Sequence, residues 1–449
     1  MGDRPPVHAA SPLLGLGHVL RLRADQLGFY RDMQARHGDA VRLRLGPWRS
    51  WLLFHPDAIE AVVATHASSF VRFEPVMRVL AQWNGQSLIV SEGERWRDRR
   101  RAVLPAFASR RMPGYGERVV GRTLVLRDAW EDTARQGVPP EVDTDREMAR
   151  LALDIAADTL FGERLGARAG PVGDAVAVLS EVAFRESTAA FRPPDWVPWP
   201  GRRRKRGAIG TMDALVTGIV AARMADPVAD RGDLLSMLVA SAGGDARAVR
   251  DEVMTLLIAG HETSGALLSW ISHLLSRHPD VLAAVQAELD AALGERPPAA
   301  GDLQALPLLR AVVSEALRLY PPAYTLLPRR AVEDVLVGGA AIRRGDLVQV
   351  VPFTTQRDGR WFEAPDAFRP ERFLGPPSWP RYAFLPFGAG PRVCIGQAFG
   401  LLEAGLVMAT LLQRLSPETA GVGEVVPEAK FSLRPRGGLP QRWRRRSAG

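Results

Sequence analysis

The 449-residue chain has a single cysteine, Cys394. One thiol excludes an internal disulfide, so no oxidising compartment is required. Lysine is almost absent: Lys205 and Lys430 are the only two, and every other fixed cation is arginine. The formal charge is +8, but the cations are scattered, with tight runs only at Arg202–Arg206 and Arg442–Arg446. That dispersion argues against a nucleic-acid or anionic-membrane surface, which would need a continuous basic patch. No stretch reaches the roughly 18 uninterrupted apolar residues of a spanning helix, and no signal-peptide cleavage pattern is present. A cytoplasmic protein is the default expectation. Internal repeats, a GxGxxG loop opening a helix after a strand, and a Walker lysine are also missing, which excludes the common nucleotide-binding designs.

The chain does have enough apolar residues, 46% against 24% charged, to bury a large core. Residues 1–22, with paired prolines and several glycines, read as an extended N-terminal arm. Residues 23–449 read as one catalytic domain. From Ala24 to about Tyr320 the dominant period is helical, with helices expected over 24–37, 56–65, 93–107, 113–136, 145–161, 172–188, 206–225, 246–277, 279–293 and 306–320. Strands are expected at Ala40–Leu45, Trp51–Phe54 and Leu347–Val351. One further helix, over 395–414, precedes a strand-rich tail. The fold class is mainly α with a small β component.

The segment Phe387-Gly388-Ala-Gly-Pro-Arg392-Val-Cys394-Ile-Gly396 stands out. Two glycines and a proline precede the cysteine, and a helix begins just after it. That would put the sulfur at a helix N-terminus, where a thiolate is stabilised. Gly396 lets a flat cofactor approach the backbone. Phe387 could shield the sulfur, and Arg392 could meet a carboxylate beside a metal. Read alone, a lone cysteine is more often an inert buried thiol.

The pattern FxxGxRxCxG resembles the heme-ligand loop of the cytochrome P450 family, and other motifs of that family follow in order along nearly the whole chain. The resemblance implies heme b as cofactor, with the Cys394 thiolate as its iron ligand. Ala259-Gly-His-Glu262-Thr263-Ser resembles the family's oxygen-activation motif, so Thr263 would handle dioxygen and Glu262 would deliver protons. Leu256, Ala259 and Thr263 share one helix face. Glu315-x-x-Arg318 with Arg372 resembles the interlocked triad that supports the heme side of the fold. Trp96 and Arg100 resemble a WxxxR pair that reaches the heme propionates. Arg329 matches the usual third propionate contact, with Arg330 beside it as the alternative. Gln356 departs from the pattern, standing where many relatives carry a propionate-facing histidine.

By the same resemblance, Phe70–Leu88 would be a flexible loop over the distal side, and Leu256, Ala259, Leu326, Leu327 and Phe431 would line an apolar substrate cavity. Arg72 and Arg78 lie on that loop and could meet a carboxylate, though loop arginines usually face water. The implied activity is insertion of one oxygen atom of O2 into a C–H bond, or a C=C bond, of a hydrophobic molecule such as a terpenoid, fatty acid or macrocycle. With no fused reductase expected, electrons would come from a ferredoxin or flavodoxin-like donor with its own reductase. That donor would dock near Arg97, Arg101 and the neighbourhood of Arg392. A peroxide-driven peroxygenase and a non-catalytic heme sensor are the rival readings; neither would need the Glu262–Thr263 pair.

Overall fold

A computed structural model of the chain describes residues 7–9, 12–137, 139–189, 197, 200–226, 231–421 and 423–446. The chain opens with β1 (Val7–His8), α1 (Pro12–Ala24) and α2 (Gln26–His37), then the hairpin of β2 (Ala40–Leu45) and β3 (Trp48–Leu53). Next come α3 (Pro56–Glu60), β4 (Phe70–Arg72), α4 (Glu74–Asn84) and α5 (Gly93–Val103). The helical body comprises α6 (Met112–Arg135), β5 (Glu141–Asp143), α7 (Thr144–Phe161), α8 (Ala169–Ser187), α9 (Arg202–Ala225) and α10 (Leu234–Ser241). It continues with α11 (Ala246–Arg277), α12 (Pro279–Leu293) and α13 (Pro307–Leu319). The strands β6 (Arg329–Ala331), β7 (Val335–Val337), β8 (Ala340–Ile342) and β9 (Leu347–Val350) and the short α14 (Pro352–Thr355) lead to the Cys394 loop. The tail holds α15 (Gln397–Leu412) and strands β10 (Leu415–Thr419), β11 (Pro427–Ala429), β12 (Leu433–Pro435) and β13 (Pro440–Arg445).

Among the described residues the largest sheet has six strands in the order β1-β2-β3-β9-β6-β4. β3 and β9 run parallel, and the rest of the chain between them supplies the crossover. β4 pairs antiparallel with β6, setting Arg72 opposite Arg329 and Val71 opposite Arg330. Side chains alternate along a strand, so Arg72 and Arg329 share one face and Arg330 takes the other.

Helix α11 is the central element. Asp245 caps it by accepting from the Ala248 N–H at 3.0 Å. Its first half packs Val249, Val253 and Leu257 into one core with α7, α8, α9 and α10. Its second half packs Leu267, Leu268 and Ile271 into another with α6, α12, α13 and α15. Gly265 makes the α7 contact possible: a Cβ there would lie 2.7 Å from the Ala149 backbone.

Most expected helices are present within a few residues of their expected ends. Three segments differ. The supposed extended arm contains α1, which buries Val19 and Leu22 against the sheet region. The supposed distal loop contains α4, started by Pro75 in its first turn and ended at Gly85, whose φ is 55°. α10, capped by Asp233, was not expected at all. The Arg202–Arg206 run forms the first turn of α9, and Lys205 is buried there against Glu186 at 2.7 Å. Most of the segment before it, 190–196 and 198–199, lies outside the described residues. α9 is long and apolar enough to cross a membrane by length and composition. It instead sends Met212, Val216, Ile219 and Val220 into the core.

Candidate active site

The Cys394 loop is built by turns that only glycine accepts. Gly388 and Gly390 have φ of 68° and 67°. A Cβ on Gly390 would lie 1.8 Å from the Val63 carbonyl oxygen, so the backbone there is pressed against the end of the α3 segment. The loop closes with the Cys394 N–H donating to the Phe387 carbonyl at 2.9 Å. Helix α15 starts at Gln397 with Gly396 as its cap, so the sulfur sits just outside the helix rather than on its first turn.

The Cys394 sulfur is open to a cavity and enclosed by protein elsewhere. Burial pushes its thiol up, against the Gly396 N–H and the Arg100 charge, which pull it down. The expected acidification by the helix end is therefore outweighed by desolvation. A metal on the sulfur would remove the proton outright. Among the described residues no group of three or more His, Cys, Asp or Glu side chains could hold a bare ion. The site therefore suits a metal that arrives inside a cofactor and needs one protein ligand.

The cavity has a volume of about 1320 Å³. This exceeds the roughly 300–1,000 Å³ usual for one small ligand, so it has room for a cofactor and a substrate together. Leu256, Ala259, Gly260 and Thr263 of α11 form one wall, facing Cys394, Phe387, Gly388 and Gly396 on the other. Leu326, Leu327 and Phe431 complete the apolar lining, as expected from the sequence. The Thr263 hydroxyl donates to the Ala259 carbonyl at 2.8 Å, leaving its oxygen free to accept.

At one edge of the cavity the charges do not balance. Arg72, Arg329 and Arg392 line it together with Trp96. Arg392 lies over the Trp96 ring at 3.9 Å, donates to the Ser91 carbonyl at 3.1 Å and pairs with Glu92. Burial, and then the Arg392 charge, pull Arg72 down to about 9 and Arg329 to about 10. Arg100 adds a further charge from one turn below Trp96; its guanidinium reaches the Val393 carbonyl at 3.2 Å rather than the cavity wall. The three arginines that line the cavity thus find their nearby opposite charge in one carboxylate, Glu92. A flat cofactor bearing two carboxylates at this edge would supply the missing negative charge, so the residues fit heme b.

The structure separates the two adjacent candidates. Arg329 faces the cavity and donates to the Val62 carbonyl at 2.7 Å, whereas Arg330 turns away and pairs with Glu74 at 3.0 Å. Of the two loop arginines, Arg72 is turned inward and donates to the Ile89 carbonyl at 2.5 Å. Arg78 is exposed, and Arg97 is largely exposed at the cavity rim.

Glu262 is not on the wall of the large cavity. It is buried on the far side of α11, accepting from Ser180 at 3.0 Å and Ser432 at 2.9 Å, with Arg434 at 3.9 Å. Burial opposes ionisation, but Arg434, His261 and the two hydroxyls together hold its carboxyl below the usual value. It borders a second space of about 10 Å³, shared with Ser180, Thr255 and Ala259, which is about the size of one water.

Behind the loop, Glu315 and Arg318 form a bidentate pair at 2.7 Å, both fully buried. Arg372 stands 3.4 Å from the same carboxylate, which also accepts from the Arg369 N–H at 2.9 Å. Arg318 additionally donates to the carbonyls of Gln356, Pro365 and Ala367. Gln356 lies outside the cavity. Its amide donates to the Leu317 and Arg318 carbonyls and accepts from the Leu385 N–H at 3.0 Å, binding the end of α13 to the loop.

A cytochrome P450 family model matches residues 5–440. Cyclooctatin synthase of Streptomyces melanosporofaciens is 33% identical over 93% of this chain and 91% of its own. Cyclooctat-9-en-7-ol 5-monooxygenase of the same organism is 33% identical over 89% of this chain and 86% of its own. Human cytochrome P450 4V2 is 27% identical over 99% of this chain and 90% of its own.

Proposed function

The chain belongs to the cytochrome P450 family, and from that premise we propose how its residues divide the work of a monooxygenase and what it oxidises. Heme b, when bound, supplies the activation of O2, with one oxygen atom passing to the substrate and the other leaving as water, at the expense of two electrons and two protons. The chain's own residues hold, orient and exclude. The Cys394 sulfur serves as the iron ligand. Arg72, Arg329 and Arg392, with Trp96 beneath Arg392, hold the carboxylate edge of the cofactor. Arg100 steadies the loop at Val393 and adds positive charge behind the sulfur. Gly388 and Gly396, without side chains, would let the cofactor approach the backbone, and Phe387 would shield the sulfur from water.

On the opposite wall, the Thr263 hydroxyl, whose oxygen is free to accept, would hold a proton beside the cofactor. Glu262, behind α11, would take up and release protons on the small space it shares with Ser180, Thr255 and Ala259. Glu315, Arg318 and Arg372 do no chemistry and hold α13 against the cofactor side. Leu256, Leu326, Leu327 and Phe431 make a dry pocket that selects by shape. One relative is named for a monooxygenation of cyclooctat-9-en-7-ol, a cyclic alkenol. We take a terpenoid of that kind as the preferred substrate class. The chain from β1 onward acts as one catalytic domain, in the cytoplasm. Electrons arrive from a separate ferredoxin or flavodoxin-like protein.

The observation that carries this reading is the pairing of a lone open thiol with an uncompensated arginine cluster on one large apolar cavity. The test is spectroscopic. The reduced, CO-bound protein should show the red-shifted band of a thiolate ligand, and Cys394→Ser should lose it. Cyclooctat-9-en-7-ol, titrated into the resting protein, should shift the heme band as water leaves the pocket. Turnover with a surrogate ferredoxin system should exceed turnover with peroxide alone. A CO complex without the red shift would overturn the Cys394 assignment.

A further inference from the structure

Glu403 has no part in the roles above. It lies on α15, the helix that opens just beyond Cys394, and is 1% exposed. One of its carboxyl oxygens accepts from the Ser264 hydroxyl of α11 at 2.5 Å. Its other oxygen is buried without a hydrogen-bond partner among the described residues. Ser264 follows Thr263 directly and borders the same cavity as Cys394. One hydrogen bond therefore joins the helix over the cavity to the helix behind the thiol.

Packing does not explain a carboxyl at this point, because a leucine would fill the space without a polar atom to desolvate. α15 is packed by α6, α11, α12, α13, β10 and the 300–305 turn, and among the described residues no charge on any of them acts on Glu403. Burial pushes its carboxyl up to about 8, and only the Ser264 hydroxyl opposes that. It is therefore a neutral acid at pH 7, with one donor and one acceptor held in a dry contact.

We infer that Glu403 is a positioning residue for the reaction: through the Ser264 hydroxyl it sets where the Ala259–Thr263 turn stands relative to the helix behind Cys394. The inference rests on the reading of that turn as the oxygen-handling wall. A neutral acid makes the tie without importing a charge. Ionised, it would place a negative charge where no cation faces it, and the contact would have to admit water or part.

The test uses the full-length, heme-loaded protein without substrate. 1-Phenylimidazole, an azole that ligates heme iron and must fit beside Thr263, is titrated and read by the shift of the heme band. Wild-type affinity should fall as pH rises past about 8. Glu403→Gln, a neutral donor and acceptor of the same shape, should bind like wild type at neutral pH and show no such fall. Ser264→Ala should bind about tenfold more weakly at neutral pH, the worth of one hydrogen bond. Glu403→Leu should do the same. If it fails to take up heme, Ser264→Ala decides, since it removes a single oxygen. Equal affinity in Ser264→Ala and wild type, or an alkaline fall that Glu403→Gln reproduces, would overturn the inference. A normal thiolate-type CO band alongside such a result leaves the Cys394 reading standing; a missing band sinks both.

Discussion

Arg329 and Arg330 are neighbours in sequence with opposite surroundings. Arg329 faces the cavity among other cations, and Arg330 is satisfied by Glu74 near the surface. If Arg329 holds a cofactor carboxylate, Arg329→Ala should weaken heme retention by about 10–100-fold, the worth of a buried charge-assisted hydrogen bond. Arg330→Ala should leave retention near wild type. Heme transfer to apomyoglobin reads both, and equal loss from the two variants would refute the assignment. Strand alternation says that one of the pair points in, but only the pairing of β6 with β4 says which. The same pairing turns Arg72 inward, which no local pattern around residue 72 reveals. Motif residues were legible because their partners lie within a turn or a loop; Arg72 was not, because its partner is 257 positions away in the chain and reached only through the sheet. A second residue answers to pH. His273 is packed edge-on to Trp270 and Tyr320, and its Nδ1 has no partner among the described residues. Burial, then Arg277 and His278, lower it to about 4. Its folded-state value lies below the unfolded one near 6.5, so the stability it contributes is present above that pH and is lost as pH falls toward 4. Urea unfolding across that window should show a loss on the order of 2 kcal/mol that His273→Phe largely removes.

At the scale of elements, the Glu315–Arg318 pair is the firmest joint. Both side chains are fully buried, so removing one strands the other without water. Glu315→Ala should cost about 3–5 kcal/mol, read as a lower urea midpoint or failure to retain heme. Arg372→Ala should cost clearly less, because it stands 3.4 Å away and its Nε makes no hydrogen bond. Equal losses would show that the three act as one network. Helices with strong caps and long periods, such as α11 behind Asp245, were readable in the sequence within a residue or two. α4 was not read, although Val76, Met77, Leu80 and Trp83 repeat at helical spacing between Pro75 and Gly85. The expectation of a loop there came from family resemblance and outweighed the residues' own period. α1 was hidden differently: its glycines and proline weaken the local signal, and packing of Val19 and Leu22 supplies what propensity lacks.

For the whole molecule, the open question is where electrons enter. The net charge of +8 is spread widely, and most arginines at the surface already face acids, as Arg444 faces Glu418 on the tail strands. On the outer face of α5, Arg97 and Arg101 are 59% and 80% exposed, Arg101 donating to Asp98 at 3.4 Å and Arg97 standing 3.8 Å from Glu94. Arg100, on the same helix, donates to the Val393 carbonyl beside Cys394, so this helix links exposed positive charge to the sulfur loop. An acidic ferredoxin would be steered there by charge, and steering fades with salt. The double variant Arg97→Glu/Arg101→Glu should slow reduction by ferredoxin about tenfold or more at low ionic strength, with the difference shrinking as salt rises. Reversal of Arg442 and Arg444 on β13 changes the net charge equally and should do far less. Stopped-flow reduction under CO measures both, because CO traps each reduced molecule. If the two double variants slow reduction equally, net charge alone is acting and α5 is not the docking face. If neither slows it, the donor does not rely on charge at this surface.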